Sequence, residues 1–494
     1  MASGSEPLVA GVDSSTQSTK VVVRRLDDGR PVAEGRAPHP ATEPPRSEQD
    51  PTSWWTALVA AFADLGPVPG GDPAWGAPSD IVGISISGQQ HGFVVLDDAG
   101  TPIRPAKLWN DTESAGQAER LVDALGADGW AEACGVVPVA SITVTKLAWL
   151  VDNEPEAVDR IATMLLPHDY LTLRLTGRAV TDRGDASGTG WWDPGSGTYR
   201  PELLATAGAG RDLSRCLPEV LGPTDVAGTV TGAAAEALGL STTCSVGPGT
   251  GDNMAAALGL GLRAGEVAMS LGTSGTVFGV AGEPARDTSG LIAGFADANG
   301  RYLPLACTLN ATKVTDMFGT VFGLGYEEFS ALAMTGDPGA GGVTVVPYFD
   351  GERTPNLPDA TGSISGLRPG TDRAQLARAA HEGVLCNLLE AADALGAVGV
   401  SGDGELRLVG GGAKSAAYQQ ILADLHQGPV RIPEDDEAPA TGAAVQAAAV
   451  AAGDSIDDVT DRWALRDGGI RIEPVAAADP SIRERYRTAA AAHL

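Results

Sequence analysis

Two short apolar segments, each broken by a turn of small polar residues, most constrain how this chain can fold. In the first, the apolar run 8–12 leads into a hydroxyl-rich turn at 13–19, and β-branched residues resume at 20–23. In the second, the run 266–271 leads into a Gly/Ser/Thr turn, and strand-like residues follow at 276–280. Apolar runs flanking such turns predict β-hairpins. Because the two hairpins lie about half a chain apart, they predict a duplicated α/β lobe.

The length of 494 residues agrees with two lobes, because single cores stop growing near ~250–300 residues. We place the lobe boundary at Val246, which divides the chain into 1–246 and 247–494. The Ala-rich stretch 440–452 predicts a buried helix whose small side chains let neighbouring elements approach closely.

The charge balance narrows the classes of partner. With 34 basic and 63 acidic residues, the formal net charge is -29, so nucleic acid and anionic membranes are poor partners. An anionic ligand such as ATP would have to be held by backbone amides, helix N-termini and Mg²⁺. We expect a small-molecule ligand. The sequence leaves open whether the protein forms a homodimer.

The five cysteines are scattered and show no C-x-x-C spacing, which favours buried free thiols over a disulfide framework or a zinc site. The sequence shows neither a signal-peptide pattern nor an uninterrupted run of ~18 apolar residues. These features predict a cytoplasmic protein.

The first turn is a candidate site for magnesium and phosphate. A strand here delivers the carboxylate of Asp13 into a turn that contains Ser14 and Thr16. Mg²⁺ keeps most of its waters and takes one or two carboxylates beside phosphate oxygens, so this arrangement suits it. An aspartate at a strand end is more often an ordinary turn residue, and this segment alone leaves both interpretations open.

Two glycine-rich turns are candidate contacts for a nucleotide. Gly272 and Thr273 form the tip of the second hairpin, and Gly411 and Gly412 lie between a predicted strand and a predicted helix. Glycine has no Cβ to block a phosphate, and successive N–H groups can form an anion-binding concavity. The spacing fits neither the Rossmann nor the Walker pattern. Ordinary tight turns remain the alternative for both segments.

Asp252 and Asn253 follow a glycine-rich approach and stand where a helix to about residue 260 should begin. An aspartate at a helix N-cap is common and stabilises a helix by about 1 kcal/mol. A carboxylate in a glycine-lined cleft could instead accept a hydroxyl proton, provided that it lies within ~2.6–3.2 Å of that hydroxyl. Both roles fit the sequence.

Two polar segments are candidates for binding a sugar. Gln90 and His91 lie between two glycines at the end of the predicted strand 81–87, and they make a compact polar cluster suited to hydroxyl groups. Trp109 and Asp111 could add an aromatic face and further polar atoms. A structural histidine, a buried tryptophan and a capping aspartate would explain these residues as well.

The order and spacing of these motifs resemble the FGGY carbohydrate kinases over almost the whole chain. Segment 141–153 fits the first signature of that family, and segment 362–367 with 375–380 fits the second. The resemblance implies an α/β fold of two ribonuclease-H-like lobes, as in the superfamily of actin, Hsp70 and sugar kinases. Sugar and ATP would then bind in the cleft between the lobes.

The resemblance also assigns roles residue by residue. It makes Asp13 the acid associated with Mg²⁺ and Asp252 the catalytic base. It places Gly272 and Thr273 in the second phosphate loop. The adenosine segment would contain Gly411 and Gly412.

Within the family, segments 87–92, 182–189 and 410–415 are similar to those of members that phosphorylate D-xylulose, in which Gln90 and His91 would contact the sugar. We therefore expect transfer of the ATP γ-phosphoryl group to O5 of D-xylulose. A ribulose, gluconate or glycerol kinase is the alternative among enzymes. A nucleotide-dependent binding protein without catalysis is the alternative from another class.

Three residues depart from the family pattern. Gln90 stands where methionine is usual. Glu113 stands where an arginine often follows the Trp-x-Asp motif, which is residues 109–111 here. His381 replaces an aliphatic residue of the second signature. The first two departures bear on which sugar is bound, because they lie in the predicted sugar-binding segments.

Overall fold

The computed structural model describes residues 6–68, 75–402 and 404–493, and its two largest sheets share one strand arrangement. In each sheet the second strand of a hairpin pairs antiparallel with a third strand. The first strand of the hairpin pairs on its other side with a parallel strand. That parallel strand pairs in turn with another parallel strand. The predicted duplication of an α/β lobe is therefore confirmed.

The first sheet has eight strands and contains the first predicted hairpin. In spatial order they are Gly228–Thr229, Ser245–Val246, Ile81–Gly88, Leu8–Ser14, Ser18–Arg25, Pro31–Pro38 and Gly66–Pro67, with Thr250–Gly251 beside the end of Ile81–Gly88.

The second sheet has seven strands and contains the second predicted hairpin. In spatial order they are Ala293–Ala296, Tyr302–Thr308, Gly275–Gly279, Val267–Leu271, Leu406–Val409, Val430–Ile432 and Ile470–Ile472.

In the part of the chain that the structure describes, five two-stranded pairs lie outside these sheets. They are Glu48–Gln49 with Ala106–Lys107, Val94–Leu96 with Thr163–Leu165, Val180–Asp182 with Glu219–Leu221, Trp192–Asp193 with Thr198–Tyr199, and Thr344–Val346 with Ser363–Ser365.

Helices pack on the faces of both sheets and on one another. They are Pro51–Ala63, Ala115–Cys134, Thr143–Asn153, Pro155–Val158, Pro167–Thr176, Arg183–Ala186, Pro201–Ala207, Gly232–Leu238, Asp252–Gly259, Thr312–Phe322, Tyr326–Met334, Arg373–Ala397, Ala416–His426, Ala438–Ala452, Ile456–Arg462 and Pro480–Ala490. Within the described ranges, none of them combines the length and the apolar character that crossing a membrane requires.

The Ala-rich stretch forms the predicted buried helix, Ala438–Ala452, and this helix packs against the first sheet and against helix Asp252–Gly259. Glycines make the approach close. A Cβ added to Gly11 would lie 1.9 Å from the carbonyl oxygen of Ala440, and one added to Gly442 would lie 1.8 Å from that of Ala255. The second half of the chain thus completes the core of the first sheet, while the lobe boundary at Val246 stays a prediction.

Candidate active site

The first hairpin buries the carboxylate of Asp13 at the tip of strand Leu8–Ser14. Asp13 pairs in register with Lys20 across the hairpin. Its Oδ1 atom and the hydroxyl of Ser14 are buried and have no hydrogen-bond partner within the described residues. A buried carboxylate oxygen without a donor, beside a free hydroxyl, fits a hydrated divalent cation.

The electrostatic surroundings of Asp13 disfavour an isolated negative charge. Burial raises the pKa of Asp13 to about 7, and the neighbouring carboxylate of Asp252 adds to this rise, whereas Lys20 opposes it. The ammonium group of Lys20 is itself engaged, because Nζ lies 2.5 Å from a carboxylate oxygen of Glu437. The site therefore has more negative than positive charge near Asp13, and a bound cation would correct the imbalance.

Asp252 is the first residue of helix Asp252–Gly259, whose N-cap is Gly251. Its Oδ1 atom accepts hydrogen bonds from the backbone N–H of Asn253 at 2.8 Å and from the side-chain amide of Asn253 at 2.9 Å. Burial raises the pKa of Asp252 to about 6. Asp252 is thus not the N-cap residue, and a carboxylate with this pKa can accept a proton near neutral pH.

The structure joins Gln90, one of the residues predicted to bind sugar, to the predicted base through Asn253. The side-chain amide of Asn253 donates to Oε1 of Gln90 at 2.8 Å. Gly251 permits this contact, because a Cβ there would lie 2.7 Å from Cγ of Gln90. The Gln90 amide nitrogen is buried with no partner in the described parts of the chain, so it is free to donate to a ligand.

His91 has a fixed orientation and a defined protonation state. Its backbone is left-handed, with φ of 63°, and its Nδ1 lies 3.1 Å from the carbonyl oxygen of Gly188. Burial lowers the pKa of His91 to about 3, and the cations of Lys146 and Arg353 contribute. The ring is therefore neutral. With Nδ1–H donated to Gly188, Nε2 is left as an acceptor for a hydroxyl.

Trp109 lies over the first hairpin turn rather than in the core. Its indole N–H donates to the hydroxyl of Thr16 at 2.9 Å, and the side chain is 37% exposed. The alternative of a buried tryptophan is therefore wrong, and an exposed ring face at this position remains available to a ligand.

Asp111 is completely buried and its two oxygens have protein partners. It accepts hydrogen bonds from the backbone N–H groups of Ser47 and Glu113, and Lys107 Nζ lies 3.2 Å from both oxygens. Glu113 also pairs with Lys107, which gives this departure from the family pattern a structural partner. A contact of Asp111 with sugar stays a prediction.

The second hairpin turn is fastened to the start of helix Thr312–Phe322. The carbonyl oxygen of Gly272 accepts from the N–H of Thr312 at 3.0 Å, and that of Thr273 accepts from the N–H of Ala311 at 3.1 Å. Thr273 is exposed at the tip. The turn therefore presents the side chain of Thr273 outward beside the N-terminus of this helix, which suits phosphate.

The glycine-rich turn that contains Gly411 and Gly412 lies beside the second hairpin turn. A Cβ on Gly412 would lie 2.8 Å from Cγ2 of Thr312, whereas one on Gly411 would meet nothing within 4 Å. The predicted helix follows as Ala416–His426, with Ser415 as its N-cap. The predicted phosphate loop and the predicted adenosine segment are thus neighbours in space.

A cleft of about 200 Å³ opens beside this turn. Tyr326 lines it and donates its hydroxyl to the carbonyl oxygen of Gly412 at 3.3 Å. His381 also lines it, with its ring 5.5 Å from that of Phe329 and 4.6 Å from that of Tyr418. This departure from the second signature therefore contributes an aromatic wall to the cleft.

Sequence reasoning missed three charged residues that act on the site. Glu437 pairs with Lys20, and the charge of Arg353 adds to burial in lowering the pKa of both His91 and Lys146. Lys20 lies within the first motif and could have been found there. Glu437 and Arg353 are distant in sequence from the residues that they affect, so the sequence offers no signal for them.

Comparisons with known proteins agree with this geometry. The model for the N-terminal domain of the FGGY family of carbohydrate kinases matches residues 8–259, and the model for its C-terminal domain matches 267–451. The chain is 47% identical over 471 residues to a xylulose kinase of Streptomyces coelicolor, which covers 95% of this chain and 93% of the relative. It is 35% identical over 442 residues to a xylulose kinase of Haemophilus influenzae, covering 88% and 89% of the two chains.

Solved structures show the same fold. The crystal structure of a xylulose kinase from Bifidobacterium adolescentis aligns with a TM-score of 0.83 at 38% identity, covering 98% of this chain and 99% of the other. A gluconate kinase from Lactobacillus acidophilus aligns with a TM-score of 0.87 at 22% identity, covering 99% and 96%. The second likeness concerns the fold alone.

Proposed function

Because this chain belongs to the FGGY family of carbohydrate kinases, we propose that it transfers the γ-phosphoryl group of ATP to O5 of D-xylulose, giving D-xylulose 5-phosphate and ADP. The relatives named xylulose kinase, which match nearly the whole chain, support this sugar over ribulose, gluconate or glycerol. Membership in a kinase family also favours an enzyme over a nucleotide-dependent binding protein without catalysis.

One observation carries the proposal: Asn253 joins the predicted base to the predicted sugar site. Its side-chain amide donates both to Asp252 at 2.9 Å and to Gln90 at 2.8 Å. A hydroxyl that lies within reach of the free amide of Gln90 would therefore also lie near the carboxylate that must deprotonate it.

Asp252 acts as the general base. Above a pH of about 6 its carboxylate is ionised and accepts the proton of the O5 hydroxyl. The O5 oxygen then attacks the γ-phosphorus, the bond to the β,γ-bridging oxygen breaks, and ADP leaves with that electron pair. His91, through Nε2, and Gln90, through its amide, hold other hydroxyls of the sugar and so fix which one reacts.

The phosphate-binding elements neutralise charge that moves during transfer. The exposed turn at Gly272 and Thr273, beside the N-terminus of helix Thr312–Phe322, supplies backbone dipoles. Asp13 would hold Mg²⁺ through water beside the hydroxyls of Ser14 and Thr16, and the ion would supply positive charge to the phosphates. Gly411 and Gly412 would allow the nucleoside to approach the backbone closely.

The free cysteines support a reducing compartment. All five are unpaired and four of them are buried. Disulfides are rare in the cytosol, so this state agrees with the proposal that the enzyme works in the cytoplasm.

A panel of sugars tests the proposed substrate. ADP release would be measured with D-xylulose, ribulose, gluconate and glycerol at matched concentrations. We expect kcat/KM to be highest for D-xylulose. A higher kcat/KM for any other member of the panel would overturn the choice of sugar while leaving the kinase chemistry in place.

A further inference from the structure

Four ionisable side chains form a buried cluster directly behind the proposed base. Nε2 of His168 lies 3.2 Å from Oδ1 of Asp169, 3.3 Å from Oδ1 of Asp182 and 3.5 Å from Oδ2 of Asp185. All four side chains are almost fully removed from solvent. Burying charge is costly unless it is paired, so a cluster of this kind requires an explanation.

Two glycines bring His168 against the strands that lead into the active site. A Cβ on Gly249 would lie 2.5 Å from Nδ1 of His168, and one on Gly88 would lie 2.9 Å from its Cβ. The ring is therefore packed beneath the end of strand Ile81–Gly88 and beneath the strand Thr250–Gly251 that pairs with it. That short strand ends immediately before Asp252.

A hydrogen bond connects the cluster to this strand. The hydroxyl of Thr250 donates to Oδ2 of Asp182 at 2.7 Å, and the backbone N–H of Gly184 donates to the same oxygen at 2.7 Å. The other oxygen of Asp182 accepts from the N–H of Asp185 and faces His168. Asp182 is thus held on three sides and fixes Thr250, two residues before the base.

The same segment reaches the sugar site. Helix Arg183–Ala186 is followed by Gly188, whose N–H donates to the carbonyl oxygen of Asp185 at 3.0 Å and whose own carbonyl oxygen orients His91. A Cβ on Gly188 would lie 2.5 Å from the His91 ring, so the contact is close. One buried cluster therefore supports both His91 and Asp252.

We propose that His168 is an imidazolium whose charge offsets the charges of Asp169, Asp182 and Asp185, and that this cluster is the positioning element for Asp252 and His91. The inference rests on the proposed role of Asp252 as the base. Three carboxylates around one ring nitrogen would repel one another if that ring were neutral, and Asp182 would lose the orientation that holds Thr250.

The electrostatics agree with a charged ring. Burial acts to lower the pKa of His168, but the carboxylates of Asp169, Asp182 and Asp185 outweigh it and raise that pKa to about 9. Burial raises the pKa of Asp185 well above its ordinary value, and the charge of His168 opposes this rise. The imidazolium contribution to stability is complete below the ordinary histidine pKa of ~6.5 and is lost as pH rises through about 9.

The protonation state can be measured directly in the unmodified enzyme. Histidines would be labelled with ¹⁵N, and the His168 signals would be assigned with a His168→Gln variant. At about pH 8, where an ordinary histidine is neutral, we expect both ring nitrogens of His168 to carry protons. A neutral ring at this pH would overturn the inference, and this result does not depend on which sugar the enzyme uses.

The positioning role is tested at Thr250. We expect Thr250→Val, which keeps the shape but removes the donor to Asp182, to lower kcat about tenfold or more, with the KM for ATP unchanged. Thr250→Ser keeps a hydroxyl and should recover most of this activity. Thr172→Val is the matched control, because Thr172 has a buried hydroxyl without a partner in the described residues, on the same helix as His168.

The outcomes separate this inference from the proposed function. A wild-type enzyme that prefers another sugar corrects the proposed function, and the Thr250 variants are then assayed with that sugar. A stably folded Thr250→Val variant with the kcat of the wild type would overturn the positioning role. The same conclusion would follow if Thr250→Ser and Thr172→Val were impaired as strongly as Thr250→Val.

Discussion

The ammonium group of Lys20 lies 2.5 Å from a carboxylate oxygen of Glu437, although 417 residues separate the two along the chain. Lys20 lies opposite Asp13 in the first hairpin, and Glu437 is the N-cap residue of helix Ala438–Ala452. The pair joins the helix that covers the first sheet to the hairpin that carries the magnesium candidate. It also engages Lys20, the cation that lowers the pKa of Asp13, so that the charge of this carboxylate is left for a metal ion.

Replacing the proposed base tests the chemistry most directly. We expect Asp252→Asn, which keeps the shape but removes the basicity, to lower kcat by at least ~10²-fold. Because the hydrogen bonds of the side chain are local ones to Asn253, the thermal unfolding midpoint should change little. A variant with more than about a tenth of wild-type kcat would show that Asp252 is not the base.

The pH dependence of kcat/KM should report the ionisation of Asp252. Its pKa is raised to about 6, and only the ionised form accepts a proton, so activity should fall as pH drops through about 6. The profile would be recorded at saturating ATP and low sugar. An acid limb near pH 4, where an exposed aspartate ionises, would contradict the assignment.

Asp13→Asn should lower the affinity of the enzyme for Mg²⁺ without destabilising the fold. An amide carries no charge to attract Mg²⁺, so we expect a higher Mg²⁺ concentration at half-maximal activity and a lower kcat. The variant also removes a costly buried charge, so its stability should not decrease. An unchanged Mg²⁺ dependence would place the metal elsewhere.

His91→Ala should weaken sugar binding by roughly 1–3 kcal/mol while ATP affinity stays level, because one hydrogen bond to a hydroxyl is lost. Calorimetry with each ligand measures both affinities. His91→Asn is the control for the backbone, since asparagine tolerates the left-handed φ of 63° at this position. If both variants unfold at lower temperature with sugar affinity intact, His91 has a structural role.

Gly442→Ala should destabilise the protein, although the same change in an open helix position usually stabilises it by about 0.5–1 kcal/mol. A Cβ on Gly442 would lie 1.8 Å from the carbonyl oxygen of Ala255, so the helices would have to separate. Gly116→Ala is the matched control, because a Cβ there meets nothing within 4 Å in helix Ala115–Cys134. Chemical denaturation should show a lower free energy of unfolding for Gly442→Ala and a higher one for Gly116→Ala.

Local patterns were sufficient to predict the two hairpins, the glycine-rich turns and the acid at the start of helix Asp252–Gly259. Turn chemistry and strand periodicity act within about ten residues, so they can be recognised in a single sequence. The buried Ala-rich helix was predicted from its run of small side chains, which let neighbouring elements approach closely. Its packing against the first sheet was not predicted.

The sequence by itself determined which residues could carry the chemistry, because carboxylates, hydroxyls and glycines at turns have properties that do not depend on distant partners. Only the tertiary structure decided which of them act together. The contacts of Asn253 with Gln90, of Glu437 with Lys20 and of Asp182 with Thr250 join residues 163, 417 and 68 positions apart. The pKa values of Asp252 and Asp13 likewise depend on burial, and that of Asp13 also depends on neighbouring charges. This environment forms only when the two sheets and their helices pack.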